Sequence, residues 1–416
     1  MRKLRSKTSI QQVQKIVKRI LPKRMSFIFN KSNHLRIAHA ELKPTLYCKA
    51  TASDTLVTQA GFMYDTMFGE PLPEINLDYI KKITTDFGIK QCAAPEESFY
   101  SLDDNAVALV AMCEHYEITK EESDIQYIHI YFNFIKHCLQ PKGYFFKYVD
   151  SEKNFTKEND TANLADSNGR AIWALGYMIS KSHILPATLI ESAETIFQEA
   201  LLNVKKIHST VAIAFVMKGL YYRNSKIETV EGVWLIKQFA NRLVQLYREV
   251  ENENWKWFQS TLSLDNSILS EALLCAWLLT GEPSYKKIAK ASFDFLLSKK
   301  TSIALAEEDA KVDCEQSIEM AQLIFSLGQF YKVFKEEAYI DKMIQSLKWF
   351  SGKNKLNQIV YDRFTGTCAG ALTEIQAQLN VSAESAVNYI AARLQIKKYL
   401  ESLGNKCFIP EYLFQK

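Results

Sequence analysis

Glycine and proline are scarce in this chain, at 14 and 9 in 416 residues. So few turn formers argue against a fold of many short strands and favour long helices. The eight cysteines form no CxxC pair and no short Cys/His spacing of the zinc-binding kind. Cys48, Cys92, Cys113, Cys138, Cys275, Cys314, Cys368 and Cys407 stand singly, several inside apolar runs. That is the setting of buried free thiols in a reducing compartment, so a cytoplasmic protein is expected. No uncharged apolar stretch reaches the ~18 residues that a membrane-spanning helix needs. The N-terminus lacks the apolar core and small-residue cleavage site of a secretory signal. GxxxxGK[ST], HExxH, GxSxG and a strand-linked GxGxxG are all missing. The DxNG at Asp166–Gly169 lacks the terminal Glu and flanking helix pair of a calcium loop. No cofactor and no metal are expected.

Acidic residues are absent from residues 1–40, which carry eleven Lys and Arg, and the rest of the chain holds 40 basic against 47 acidic residues. A mildly acidic body does not suit nucleic acid. Within the basic leader, residues 9–21 place Ile10, Val13, Ile16, Val17, Ile20 and Leu21 at helical spacing before Pro22. Two readings stand for this amphipathic helix. It packs on the body or forms a loosely ordered tail, or residues 1–24 make weak contact with an anionic membrane face, peripheral to the inner membrane.

What the chain has in quantity is apolar helix. Polar tips at Asp103–Asn105, Asp166–Arg170, His208–Thr210, Asp265–Ser267, Asp313–Gln316 and Ser382–Glu384 each open an apolar run such as AVALVAM, AIWALGYMI or ILSEALLCAWLL. Each run but the last is followed by a one-sided amphipathic segment: Asp124–Cys138, Pro186–Val204, Val230–Val250, Ser284–Ser298 and Glu337–Phe350. A helix apolar all round must be covered on every side, whereas an amphipathic one faces water. The expected fold is therefore all-α: an (α/α)6 toroid of six helical hairpins, inner ring inside outer ring. Residues 41–416 form its single domain, and a helix near residues 75–85 supplies the sixth outer member. An open solenoid is the alternative, but no fixed repeat length appears.

Six inner-helix N-termini at one rim would build an electropositive, donor-rich bowl. Asp103, Asp104, Asp166, Asp265, Asp313, Glu315 and Glu384 all fall at tips. Each singly is explained as a helix cap, but seven carboxylates exceed what capping requires. Glycoside hydrolysis needs two carboxyls flanking the scissile bond, one of them with a raised pKa. Asp103 or Asp104 is the expected first and Asp265 or Glu384 the second. Trp255 and Trp257, on a loop before the fourth tip, offer flat faces for a sugar, although one or both would equally serve the core. Arg170 offers a fork for a hydroxyl or carboxylate, and Asp166 lies at the same tip. Only His208 among the seven histidines sits at a tip, which weighs against a histidine-dependent sugar epimerase.

The stretch Thr85-Asp86-Phe87-Gly88-Ile89-Lys90-Gln91-Cys92-Ala93, then Tyr100 and Asp103-Asp104-Asn105-Ala106-Val107-Ala108-Leu109, resembles a family of six-hairpin, glycosidase-like (α/α)6 domains. These are fused to, or encoded beside, bacterial glycosyltransferases. Further matches follow in order: Gly143-Tyr144-Phe145 with Asp150, Asn168 to Gly176, Trp255, Asp265-Asn266 through Glu271-Ala272-Leu273, Tyr361-Asp362 with Thr365-Gly366, and Ala383-Glu384-Ser385. The resemblance implies a carbohydrate-active barrel acting on an oligosaccharide or glycan. It adds Tyr100 and Asn105 as substrate contacts and a glycosyltransferase as partner. Cys92 stands where the family has His, and Val107 where it has Arg. Those departures point to a changed substrate, or to a glycan-binding or glycosyltransferase-partner role without catalysis.

Overall fold

The computed structural model describes residues 27–29, 35–37, 74–91, 99–262, 267–305, 315–372 and 381–406. The amphipathic segment 9–21, Cys92, Asp265 and Asp313 lie outside them. The chain divides into two compact units, Met1–Glu74 with Lys397–Lys416, and Ile75–Ile396. In the first, β1 (Phe27–Phe29) and β2 (Leu35–Ile37) pair antiparallel, with Ile28 opposite Arg36.

The second unit is built from helical hairpins. After the short α1 (Asp78–Ile83) come α2 (Leu102–Thr119), α3 (Ser123–Cys138), α4 (Ala165–Ile179), α5 (Ala187–Leu201), α6 (Thr210–Asn224) and α7 (Val230–Val250). Then follow α8 (Ser267–Thr280), α9 (Pro283–Leu305), α10 (Ser317–Phe334), α11 (Glu337–Phe350) and α12 (Ala383–Lys406), whose last turns belong to the other unit. Burial separates two classes. Every residue of α2 from Leu102 to Tyr116 is buried, polar ones included. In α7 only one stripe is buried: Gly232, Leu235, Ile236, Phe239, Ala240, Leu243, Val244 and Tyr247. The even-numbered helices form an inner ring and the odd-numbered ones the outer ring, the (α/α)6 toroid expected from the apolar runs.

Contacts between inner helices that are not neighbours pass through the middle of the ring. Trp173 of α4 meets Phe325 of α10 edge-on at 6.4 Å between ring centroids. Lys218 of α6 lies over both of those rings. Gln329 of α10 donates to the Tyr222 hydroxyl of α6 at 3.1 Å. The interior is thus packed with side chains, and a buried ion pair sits inside it. Lys218 Nζ is 2.9 Å from Glu271 Oε1, while Glu271 Oε2 accepts from Gln322 and Ser326, each at 3.1 Å. Those hydrogen bonds are what allow an ion pair to stand in so dry a place.

The connections are strongly asymmetric. Inner-to-outer turns are short: 120–122, 180–186, 225–229, 281–282 and 335–336. Outer-to-inner connections run 84–101, 139–164, 202–209, 251–266, 306–316 and 351–382, and all belong to the end where the inner helices start. Two-residue ribbons stitch this rim. β3 (Tyr100–Ser101) pairs with β4 (Tyr148–Val149), and β5 (Glu315–Gln316) pairs with β6 (Ala371–Leu372). Near α1, Thr84 bonds the Tyr131 hydroxyl of α3 at 2.7 Å. Asn76 donates to the carbonyls of Arg363 and Phe364 in the last rim connection. This segment therefore joins α3 to the connection that precedes α12.

Helices α4 and α6 approach backbone to backbone. A Cβ on Gly176 would collide with the carbonyl of Gly219, and one on Gly169 would lie 2.7 Å from the Ala212 oxygen. Gly176→Ala should therefore lower stability by about 3 kcal/mol in urea denaturation, since backbone cannot yield as a side chain does. Gly281→Ala should cost only about 1 kcal/mol, because open space surrounds Gly281 and only its positive φ resists. Equal or reversed losses would contradict this packing.

Candidate active site at the rim

The first inner helix begins at the end of β3, where Ser101 accepts from the Asp103 N–H at 3.2 Å and caps α2. Two acids in the first turn then face a closed interior: Asp103 is 4% exposed and Asp104 not at all. Their neighbours give them opposite fates. Asp103 Oδ2 pairs with Lys147 Nζ at 2.8 Å and Arg170 Nη1 at 3.2 Å. Burial pushes its carboxyl up, but Arg170 and Lys147 together outweigh burial and hold it below the usual carboxylate range. Neither oxygen of Asp104 has a hydrogen-bond partner. Burial, then the charges of Glu384 and Asp103, hold that carboxyl well above its ordinary value. Asp104 keeps a proton where ordinary aspartates are ionised.

Glu384, in the first turn of α12, completes the group. Its Oε1 lies 3.7 Å from Arg170 Nη1, and its side chain is 30% exposed, the most open carboxyl of the cluster. Burial raises its pKa, Arg170 draws it back, and Asp103 adds to the rise; the net shift is upward. Arg170 itself lies over the Phe215 ring at 5.4 Å. Three inner helices, α2, α4 and α12, thus meet in one network with Lys147 from the connection before α4.

Two asparagines position it. Asn105 Oδ1 accepts from Ile89 N–H at 3.0 Å while its amide donates to Ser101 O at 2.8 Å. Asn168 repeats the device one hairpin on: Oδ1 accepts from Phe145 N–H at 2.7 Å, and Nδ2 donates to the carbonyls of Phe145 and Leu164. Each stands at the fourth position of its inner helix and clamps the incoming loop. Asn159 holds the next stretch, its Oδ1 accepting from the Lys147 and Tyr148 N–H groups. Lys147 is thereby aimed at Asp103.

Several expected residues take other roles. The Asn105 amide is consumed by backbone and is not available to a substrate. Tyr100 is buried, its hydroxyl 3.1 Å from Thr85 and its ring edge-on to Phe87; it supports the loop. Trp257 is fully enclosed against Phe258, out of reach of a sugar. Trp255 is half-buried, with Nε1 donating to Gln259 O at 2.7 Å and its ring edge-on to Phe295. Asp166 accepts from Ser209, the cap of α6, and so ties two inner-helix starts together. Val107 is buried within α2. His208 contacts Arg242 and stands apart from the carboxyl cluster's ion pairs. The sequence reading overlooked Lys147, although a signal exists. Phe145 and Val149, two residues to either side along an extended stretch, share its face and are fully buried, so Lys147 lies on an inward position.

No protein-family model and no curated protein sequence matches the chain. Solved structures do match in shape. Cellobiose 2-epimerase from Spirochaeta thermophila superposes with a TM-score of 0.61 at 13% identity, over 85% of this chain and 98% of that one. A sugar epimerase from a ruminal bacterium gives 0.60 at 10% identity, over 77% and 95%. A GH76 alpha-mannanase from Bacteroides thetaiotaomicron gives 0.53 at 14% identity, over 78% and 94%. All have the (α/α)6 toroid fold, and the present chain shares it.

The two aspartates predict opposite pH behaviour. A carboxyl whose folded pKa is raised costs stability as pH climbs from its unfolded value, near 4, to its folded one. Asp104→Asn should therefore gain on the wild type by up to about 1.4 kcal/mol per pH unit across that interval. Asp103 has a lowered folded pKa, so its contribution is present above the unfolded value and lost as pH falls through the folded one. Asp103→Asn should cost on the order of 3 kcal/mol at neutral pH, since it strands two cations, and little in strong acid. Parallel stability curves for wild type and Asp104→Asn would refute the assignment of the proton.

Proposed function

We propose that the protein is carbohydrate-active, glycoside hydrolase-like, and acts on an oligosaccharide or glycan intermediate at the rim of the barrel. The observation that carries this is Glu384: an open carboxyl with a raised pKa, among long loops, beside an arginine. A general acid must hold a proton near neutral pH and reach the leaving-group oxygen. Asp104 is sealed from solvent, so it acts through the electrostatics of the cluster and Glu384 makes the contact. The second carboxylate is then Asp265, since Asp103 is neutralised by two cations. Arg170, Asp166 and the exposed part of Trp255 would bound the substrate.

A second reading is a glycan-binding partner of a glycosyltransferase, without turnover. It is favoured by the pairing of Asp103 with Lys147 and Arg170 and by the sealing of Asp104, which leave Glu384 as the solvent-reachable carboxyl of this cluster. An epimerase reading draws on similarity of fold alone; among the described residues, no histidine joins the cluster's ion pairs. Four free, buried cysteines, Cys113, Cys138, Cys275 and Cys368, support a reducing, cytoplasmic setting.

A glycan screen followed by product analysis separates these readings. With a turned-over glycan in hand, Glu384→Gln should lower kcat by about 100-fold or more while KM changes little. Undiminished hydrolysis by Glu384→Gln would overturn the assignment. Binding without turnover, unchanged in that variant, would favour the partner role.

A further inference from the structure

The rim has an arginine that is only half used. Arg170 reaches Asp103 and Glu384 through one terminal nitrogen, Nη1. No hydrogen bond joins its Nη2 or Nε to the described residues, the Asp166 charge also acts on it, its Cζ lies 5.4 Å from the Phe215 ring centroid, and its side chain is 22% exposed. Lys147 stands on the same Asp103 oxygen, its side chain 23% exposed. Two cations thus converge on a single carboxylate atom, at the start of α2 and α4, where helix N-termini add their own positive field. A guanidinium with one edge fixed and the other open is pre-organised for a forked contact with a planar carboxylate or a phosphate. A neutral sugar needs neither the second cation nor the fork.

We infer that the saccharide this rim takes carries an anionic group, a carboxylate or a phosphate, which docks on the free edge of Arg170 with Lys147 beside it. This rests on the carbohydrate reading above and narrows its substrate class. Lys147 then acts in specificity: it shares the charge of Asp103, so that Arg170 retains positive charge for the ligand. Asp103 acts as the hinge of the arrangement, holding both cations at one point without cancelling them.

Calorimetric titration of the full chain with matched ligands tests this. One pair is a neutral oligosaccharide against the same length bearing a terminal uronate; the other is a hexose against its phosphate. The acidic member of at least one pair should bind tenfold or more tightly, and that advantage should shrink as salt rises. The pair that responds separates uronate from phosphate. Arg170→Lys keeps a cation on Asp103 but removes the fork, and should erase most of the preference without lowering the melting temperature. Should that variant unfold, the wild-type comparison of pairs and its salt dependence still decide. Equal affinity for neutral and acidic members would overturn this inference and leave the carbohydrate reading standing. Binding of no saccharide from a broad screen would overturn both.

Discussion

Asp103 is the constraint on which the rim depends. One oxygen of one carboxylate receives Lys147 and Arg170, and Arg170 reaches on to Glu384. A charge this buried is tolerable only because its partners are there. The arrangement of α2, α4, α12 and the loop carrying Lys147 follows from keeping them there. The state of the other acids follows in part. Burial first pushes Asp104 and Glu384 toward their neutral forms, and the ionised Asp103 in the same enclosure adds to that push. One buried carboxylate therefore ties three helices together, and its charge adds to the burial that keeps two neighbours neutral.

The rest of the barrel works to keep that rim rigid. Glycine contacts draw α4 against α6, and the contacts among Trp173, Lys218, Glu271 and Phe325 tie inner helices together across the ring. Asparagine clamps at Asn105 and Asn168 convert long connections into fixed ledges. Long loops at one end and tight turns at the other concentrate all structural variety at the site. Packed elements below with functional loops above is a common division of labour, since loops tolerate change that a core does not.

The fold was legible because helix burial writes itself into sequence with a period. All-round apolar runs and one-sided runs alternate, and each polar tip marks a start. The tips were also legible as a group: Asp103, Arg170 and Glu384, far apart in the chain, meet in one network. Individual roles were not. Asp and Asn at a helix start look alike whether they cap, clamp or react, and only three-dimensional neighbours distinguish them. Asn105 therefore proved to be a backbone clamp, and Asp104, one of the two acids expected as the first carboxylate, is sealed. The tryptophan pair divided for a similar reason, since the bends of that loop enclose Trp257 and leave Trp255 half-buried. Lys147 stayed hidden because the residues on both sides of it, Tyr144-Phe145-Phe146 and Tyr148-Val149, are all apolar or aromatic, and only the burial of Phe145 and Val149 marks which positions face inward.

The central claim is a division of protons: Asp103 without one, Asp104 and Glu384 with theirs over a range where ordinary carboxyls have lost them. Carboxyl-selective 13C NMR titration of the labelled full chain, with each residue assigned by its amide variant, measures this most directly. The account predicts Asp104 and Glu384 resonances that titrate above the ordinary carboxyl range and an Asp103 resonance that titrates below it. Ordinary midpoints for all three, or an Asp103 that takes up a proton before Asp104 as pH falls, would contradict it.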